Sequence, residues 1–124
     1  MKRIKGRLLR DKPSKVSQNG KSESLRVTMP VESGLNPWTY VYQKPLDNGI
    51  IMIIPENVYD YDKISKDGII KKSKVIYNGI SGSVRIVIAS ECGLVAEKLV
   101  LYERLDNDII LIIPENVYDN TRSN

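Results

Sequence analysis

Apolar side chains fall along this chain in short bursts of two kinds. Two bursts are continuous, Ile50-Ile51-Met52-Ile53-Ile54 and Ile109-Ile110-Leu111-Ile112-Ile113, and each is stopped by a proline, Pro55 or Pro114. Five apolar residues in a row, closed by a residue without a backbone donor, predict a strand buried on both faces. Others alternate. Leu25-Arg26-Val27-Thr28-Met29 places every second residue inside and stops at Pro30, and the segment 83–88 repeats the pattern. That period of two predicts strands with one face buried and one wet. Thr39-Tyr40-Val41-Tyr42-Gln43 and the segment 99–104 are rich in β-formers. Asn19-Gly20 and Asp47-Asn48-Gly49 are tight-turn sequences, because a type I′ turn needs positive φ at its central residues. Short strands at 15–18 and 75–77 precede the alternating ones. The segment 31–37 is irregular, or one helical turn at most. The pattern predicts eight short strands in four hairpins, an all-β chain without long helical periodicity and with a frayed tail at 118–124.

The hairpins come in two equivalent pairs. Residues 46–61 read LDNGIIMIIPENVYDY and residues 105–120 read LDNDIILIIPENVYDN, an offset of 105 − 46 = 59. The same offset aligns Lys15-Val16 with Lys74-Val75, Ser24-Leu25-Arg26-Val27 with Ser83-Val84-Arg85-Ile86, and Gly34-Leu35 with Gly93-Leu94, without a gap. A repeat must be recognised before a fold is assigned. Two copies do not make a solenoid; they suit a pseudo-twofold pair. Neither half buries enough surface to be comfortable alone. The expected organisation is a basic arm, 1–12, and two repeats, 13–65 and 66–124, sharing one core, with 50–54 and 109–113 its most buried segments. The core is aliphatic, since the chain has no Phe and a single Trp. The best-matched segment, Pro55 to Asp60, reads either as a turn packed through Val58 and Tyr59 or as a partner surface.

Charge is unevenly spread. The chain carries +4 overall. Residues 1–26 hold nine basic and two acidic side chains, a balance of +7, which leaves 4 − 7 = −3 for the rest. A basic arm on a mildly acidic body favours a polyanionic partner, most often nucleic acid. Lys71, Lys72 and Lys74 form a smaller basic cluster ahead of the second repeat. Cys92 is the one cysteine and histidine is absent, which removes an internal disulfide and a Cys/His metal site and fits a reducing, cytoplasmic setting. Cys92 reads as a small buried apolar residue. No apolar run reaches membrane-spanning length, and no apolar stretch of secretory type follows the basic start.

The sequence Arg26-Val27-Thr28-Met29-Pro30, preceded by Lys15-Val16 and a glycine-containing turn and followed by a second hairpin with an Ile-rich strand, resembles the AbrB-like (SpoVT/AbrB) DNA-binding domains. The resemblance covers each repeat. It implies a swapped-hairpin β-barrel, here a single-chain pseudo-dimer of two tandem units that binds duplex DNA as a transcriptional regulator. The tandem form is similar to regulators of archaeal viruses and plasmids. Carried over by position, Arg26 and Arg85 are the principal DNA contacts. Lys15, Lys74, Lys21 and Lys72 are supporting ones, and Lys2, Arg3, Lys5 and Arg7 are contacts from the arm. The chain departs from the family in two ways. Ala89 stands where the family has proline, and the connector after Pro30 is several residues shorter than the family's, which reduces its helix and leaves Gly34-Leu35 and Gly93-Leu94 where that helix often carries basic residues. The burden of DNA contact therefore moves to the strands and the arm.

Nothing in the chain reads as catalytic. No histidine serves as a general base, the glycines at 79 and 82 lack a phosphate-loop lysine, and the carboxylates fall at turns rather than in a metal-binding cluster. The expectation is a non-enzymatic protein without cofactor or metal, whose partner is double-stranded DNA and which could dimerise further. An antitoxin-like interaction module and a viral structural protein are the alternatives.

Overall fold

The computed structural model describes residues 7–9, 13–18, 25–58, 71–77, 83–88, 92–105 and 108–122. In chain order the strands are β1 (Arg7–Leu8), β2 (Ser14–Lys15), β3 (Ser17–Gln18), β4 (Leu25–Met29), β5 (Tyr40–Pro45), β6 (Ile51–Pro55), β7 (Lys71–Lys74), β8 (Ile76–Tyr77), β9 (Val84–Ile88), β10 (Leu99–Arg104) and β11 (Ile110–Pro114), followed by helix α1 (Glu115–Arg122). All pairings are antiparallel. The larger sheet runs β1-β10-β11-β6-β5-β7 with β2 also on β10, and the smaller runs β3-β4-β9-β8.

The register carries the repeat into three dimensions. In the small sheet β4 lies on β9 with Val27 opposite Ile86. In the large sheet β6 lies on β11 with Met52 opposite Leu111. Both pairs are 59 residues apart, so at the centre of each sheet a residue faces its own counterpart. The outer pairings obey the same rule. Lys15 sits opposite Leu99, and Lys74 opposite Tyr40. Each early strand of one repeat thus adds to the later hairpin of the other.

The two sheets share strands at two bends. The Val16 N–H donates to the Lys98 carbonyl at 2.8 Å and its own carbonyl accepts from Glu97 at 2.8 Å; beyond it β3 belongs to the small sheet. Val75 does the same with Thr39 and Trp38, at 2.8 and 2.7 Å. Because backbone groups at the bends bond to turns rather than to a neighbouring strand, the ladders do not close into one barrel among the described residues. Strands that cross from sheet to sheet at corners are the usual device of orthogonal packing.

Between the sheets lies one aliphatic core drawn from both repeats. Val16, Val27, Met29, Val41, Ile51, Ile53, Val75, Ile86, Ile88, Val100, Ile110 and Ile112 are wholly buried. The segments expected to be deepest are so: β11 is buried throughout, and β6 at every position but Met52. A second cluster covers the outer face of the large sheet, where Tyr118 and Val117 of α1 pack with Leu101, Leu111 and Ile113. The frayed tail expected at 118–124 is therefore a helix through Arg122, anchored because Tyr118 has an apolar surface to cover. The identical Pro-Glu-Asn-Val stretch in the first repeat makes a 3₁₀ turn over Glu56–Val58.

Arg7, expected in a basic arm, lies instead in an edge strand with Arg104 opposite it. The reason is apolar: Leu8 packs into the outer cluster and Leu9 against the main core. The Leu9 N–H also donates to the Tyr102 carbonyl at 3.0 Å.

Polar groups in the core differ between the halves. Gln43 and Ser73 are buried, and the Gln43 amide donates at 2.6 Å to the Ser73 hydroxyl and at 2.6 Å to the Val87 carbonyl. The Cys92 thiol lies 3.8 Å from the Gln43 carbonyl oxygen. Cys92 is buried, as a small core residue should be. This network ties β5 and β7 of the large sheet to β9 of the small one. The counterpart of Gln43 is Tyr102, also buried, whose hydroxyl makes no well-formed hydrogen bond. Burial pushes its phenol well above the ordinary tyrosine range, and nearby Ser14 offsets that only in part.

Candidate nucleic-acid interface

Alternation in the small sheet sends Leu25, Val27, Met29, Val84, Ile86 and Ile88 into the core and leaves Arg26, Thr28, Arg85 and Val87 half-exposed on the other face. Arg26 is opposite Val87 and Arg85 opposite Thr28, so the two arginines are diagonal neighbours flanking the Val27–Ile86 pair. Diagonal positions in such a ladder are roughly 7–8 Å apart at Cα. Residues 59 apart in sequence therefore meet on one face. No carboxylate forms an ion pair with either guanidinium among the described residues. Each remains a planar fork of donors suited to a phosphate or a guanine edge.

The edge strands β3 and β8 flank the two arginines. Ser17 is opposite Arg26, and Ile76 is opposite Arg85. Lys15 and Lys74 come two residues before these, just past the bends at Val16 and Val75. Lys15 pairs with Glu97 at 3.1 Å, both side chains well exposed, so the pair contributes little and opens readily. Lys74 lies over the Trp38 ring at 5.3 Å. Lys72 is on the outer face of the large sheet, 2.5 Å from Glu56 and 4.9 Å above the Tyr40 ring. The Glu56 hydrogen bond is the main cause holding its ammonium above the ordinary lysine value. Lys72 is thus already partnered and stands apart from the arginine stripe. Arg7 is exposed but belongs to the β1 edge of the large sheet. Lys2, Arg3, Lys5 and Lys21 lie outside the described residues.

Sequence reasoning missed the turns that clamp the bends. Pro37-Trp38 and Ala96-Glu97 occupy equivalent turns, and Trp38 and Glu97 have φ of 70° and 73°. Left-handed backbone disfavours a side chain by roughly 1–2 kcal/mol. The hydrogen bonds to Val75 and Val16 offset that cost. The proline before Trp38 was a turn signal, but the following position normally calls for Gly or Asn. Trp38 is consequently left 61% exposed, with Tyr40 beside it at 40%. No helix among the described residues is long and apolar enough to cross a membrane. Comparison with family models, with curated proteins and with solved structures finds no match for this chain.

Proposed function

We propose that this chain binds duplex DNA as a transcriptional regulator, through the outer face of its small sheet. The observation that carries the reading is the placement of Arg26 and Arg85 side by side on that face, without an ion pair among the described residues and related by the repeat. Lys15 and Lys74, on edge strands of the large sheet beyond the bends, and the basic residues of 1–6 would supply further phosphate contacts. Phosphate contacts position a protein on DNA and base contacts specify sequence; the central arginines are suited to both. The crossed pairing of early and late strands supports a swapped-hairpin reading, in which two AbrB-like units form a pseudo-dimer within one chain. The excess charge of residues 1–26 supports a polyanion as the partner.

The test is a fluorescence-anisotropy titration of labelled random duplex DNA at two salt concentrations. It compares the natural chain with one in which Lys2, Arg3 and Lys5 are glutamine, a change that spares β1. Binding that falls steeply with salt and persists without the arm charges is expected. Binding lost entirely with those charges would leave the sheet as scaffold. Absence of binding by either protein would overturn the reading.

A further inference from the structure

Two clefts occupy equivalent places in the two repeats. One, of about 460 Å³, is lined by Gly34, Asn36, Thr39, Pro55 and Asn57 among others. The second, of about 180 Å³, is lined by Gly93, Val95, Lys98, Pro114 and Asn116. Each residue of the first set lies 59 positions before its partner in the second. The duplicated Pro-Glu-Asn stretch, which had no assigned chemistry, is thus a wall of both. The clefts have since diverged. The first adds Trp38, Tyr40 and Glu56 to its lining, whereas the second adds Val117 and has Val95 in place of Asn36.

The chemistry of the larger cleft is specific. Two exposed aromatic faces, Trp38 and Tyr40, stand at its mouth. Two ammonium groups lie over those rings, Lys72 at 4.9 Å from Tyr40 and Lys74 at 5.3 Å from Trp38. Asn36, Asn57 and Thr39 offer amide and hydroxyl groups from the wall. Its carboxylates are already neutralised, Glu56 by Lys72 and Asp108 by Arg104. The volume is that of a small-ligand site. Flat rings for stacking, an ammonium group for a phosphate and amides for polar edges are the combination used to hold a base of a single strand. A buried apolar anchor would instead want a closed hydrophobic pocket, and this one is open and polar. We infer that the first-repeat cleft binds one unpaired nucleobase of a nucleic-acid strand, stacked on Trp38 and Tyr40 with its phosphate on Lys74. The inference rests on the reading that this chain binds nucleic acid. It makes the protein a reader of a duplex next to a frayed, flipped or single-stranded position. The second cleft has no aromatic ring in its lining and does not share the role.

Trp38 is the only tryptophan in the chain, so its emission reports on this cleft alone. The experiment titrates the full chain with a blunt duplex and with the same duplex carrying a five-thymidine overhang. Trp38 emission and the anisotropy of a dye on the blunt end are followed together. The overhang is expected to quench Trp38 and to tighten binding about 5- to 150-fold, the range of one stacked base. The blunt duplex is expected to bind without quenching. Tyr40→Leu, the residue type found at the equivalent position 99, should abolish the overhang's advantage and leave blunt-duplex binding unchanged. Asn36→Val, matching position 95, should weaken the overhang complex and is the variant to use if Tyr40→Leu does not fold. Blunt-duplex binding with no quenching and no gain from the overhang would overturn the inference and leave the duplex reading standing. Quenching that survives both substitutions would overturn the cleft assignment. Failure of both DNAs to bind would remove both readings.

Discussion

Replacing Arg26 and Arg85 together by glutamine is the most direct challenge to the proposed interface. Both side chains project from alternating positions of strands whose opposite faces hold the core, so the change should spare the fold. Glutamine keeps part of the aliphatic stem and removes two charges. If each guanidinium neutralises one phosphate, the slope of log K against log salt should fall in magnitude by about 1.8, at roughly 0.9 per phosphate. Between 50 and 200 mM salt the advantage of the natural chain would then shrink about 12-fold. If the arginines contact guanine edges, each should cost about 1–3 kcal/mol whatever the salt. The control is Lys44→Gln with Lys98→Gln, the same charge change made off the arginine face. Lys44 lies in β5 of the large sheet, and Lys98 just before β10. Slope and affinity would come from anisotropy titrations at four salt concentrations. Equal losses from the arginine pair and the control pair would refute the assignment, because only undirected net charge would then be at work.

Other expectations concern the scaffold. Ile53→Ala and Ile112→Ala, both wholly buried and related by the repeat, should each cost about 2–5 kcal/mol in urea unfolding and differ little from one another. Gln43→Leu should cost about 1–3 kcal/mol, because the Val87 carbonyl would keep only the 3.2 Å bond from Ser73. Glu97→Gly should stabilise by about 0.5–1 kcal/mol by relieving a positive φ, less the entropy a glycine adds to the unfolded chain; a fall in melting temperature would count against strain there. Tyr102 is held neutral by burial, so its contribution is whole below about pH 10 and is lost as pH climbs above that value, where the unfolded phenol ionises. Tyr102→Phe should flatten that alkaline loss, measured as urea midpoint against pH.

Much of this architecture could be read from residue order. Period-two alternation at 25–29, continuous runs at 50–54 and 109–113, and the Asp47-Asn48-Gly49 turn sit where strands and a turn stand in the structure. The candidate residues Arg26 and Arg85 could be singled out because the offset of 59 repeats an arginine, and their meeting on one face follows from the pairing of β4 with β9. Three features were not legible, each for a physical reason. The bends at Val16 and Val75 carry no Gly or Pro, since they are made by hydrogen bonds to turns far along the chain. Helix α1 and the 3₁₀ turn Glu56–Val58 arise from the same Pro-Glu-Asn-Val stretch, so the outcome depends on what lies beneath. Leu101 and Leu111 await α1, whereas Tyr42 and Met52 are their counterparts in the first repeat. The Gln43–Ser73–Val87 network joins three strands, and no local pattern announces a meeting over such separations.

The facing of each central residue by its own counterpart has a genetic consequence. In a dimer of identical chains every substitution occurs twice, and any change that suits one site is imposed on the other. Joining the copies in one polypeptide lets a single codon alter a single site. Position 43 can be glutamine while its counterpart 102 is tyrosine, and position 38 tryptophan while its counterpart 97 is glutamate. On the proposed DNA-binding reading, such a protein would be released from the demand that its target be a palindrome, which identical subunits related by a twofold axis impose on the DNA they read.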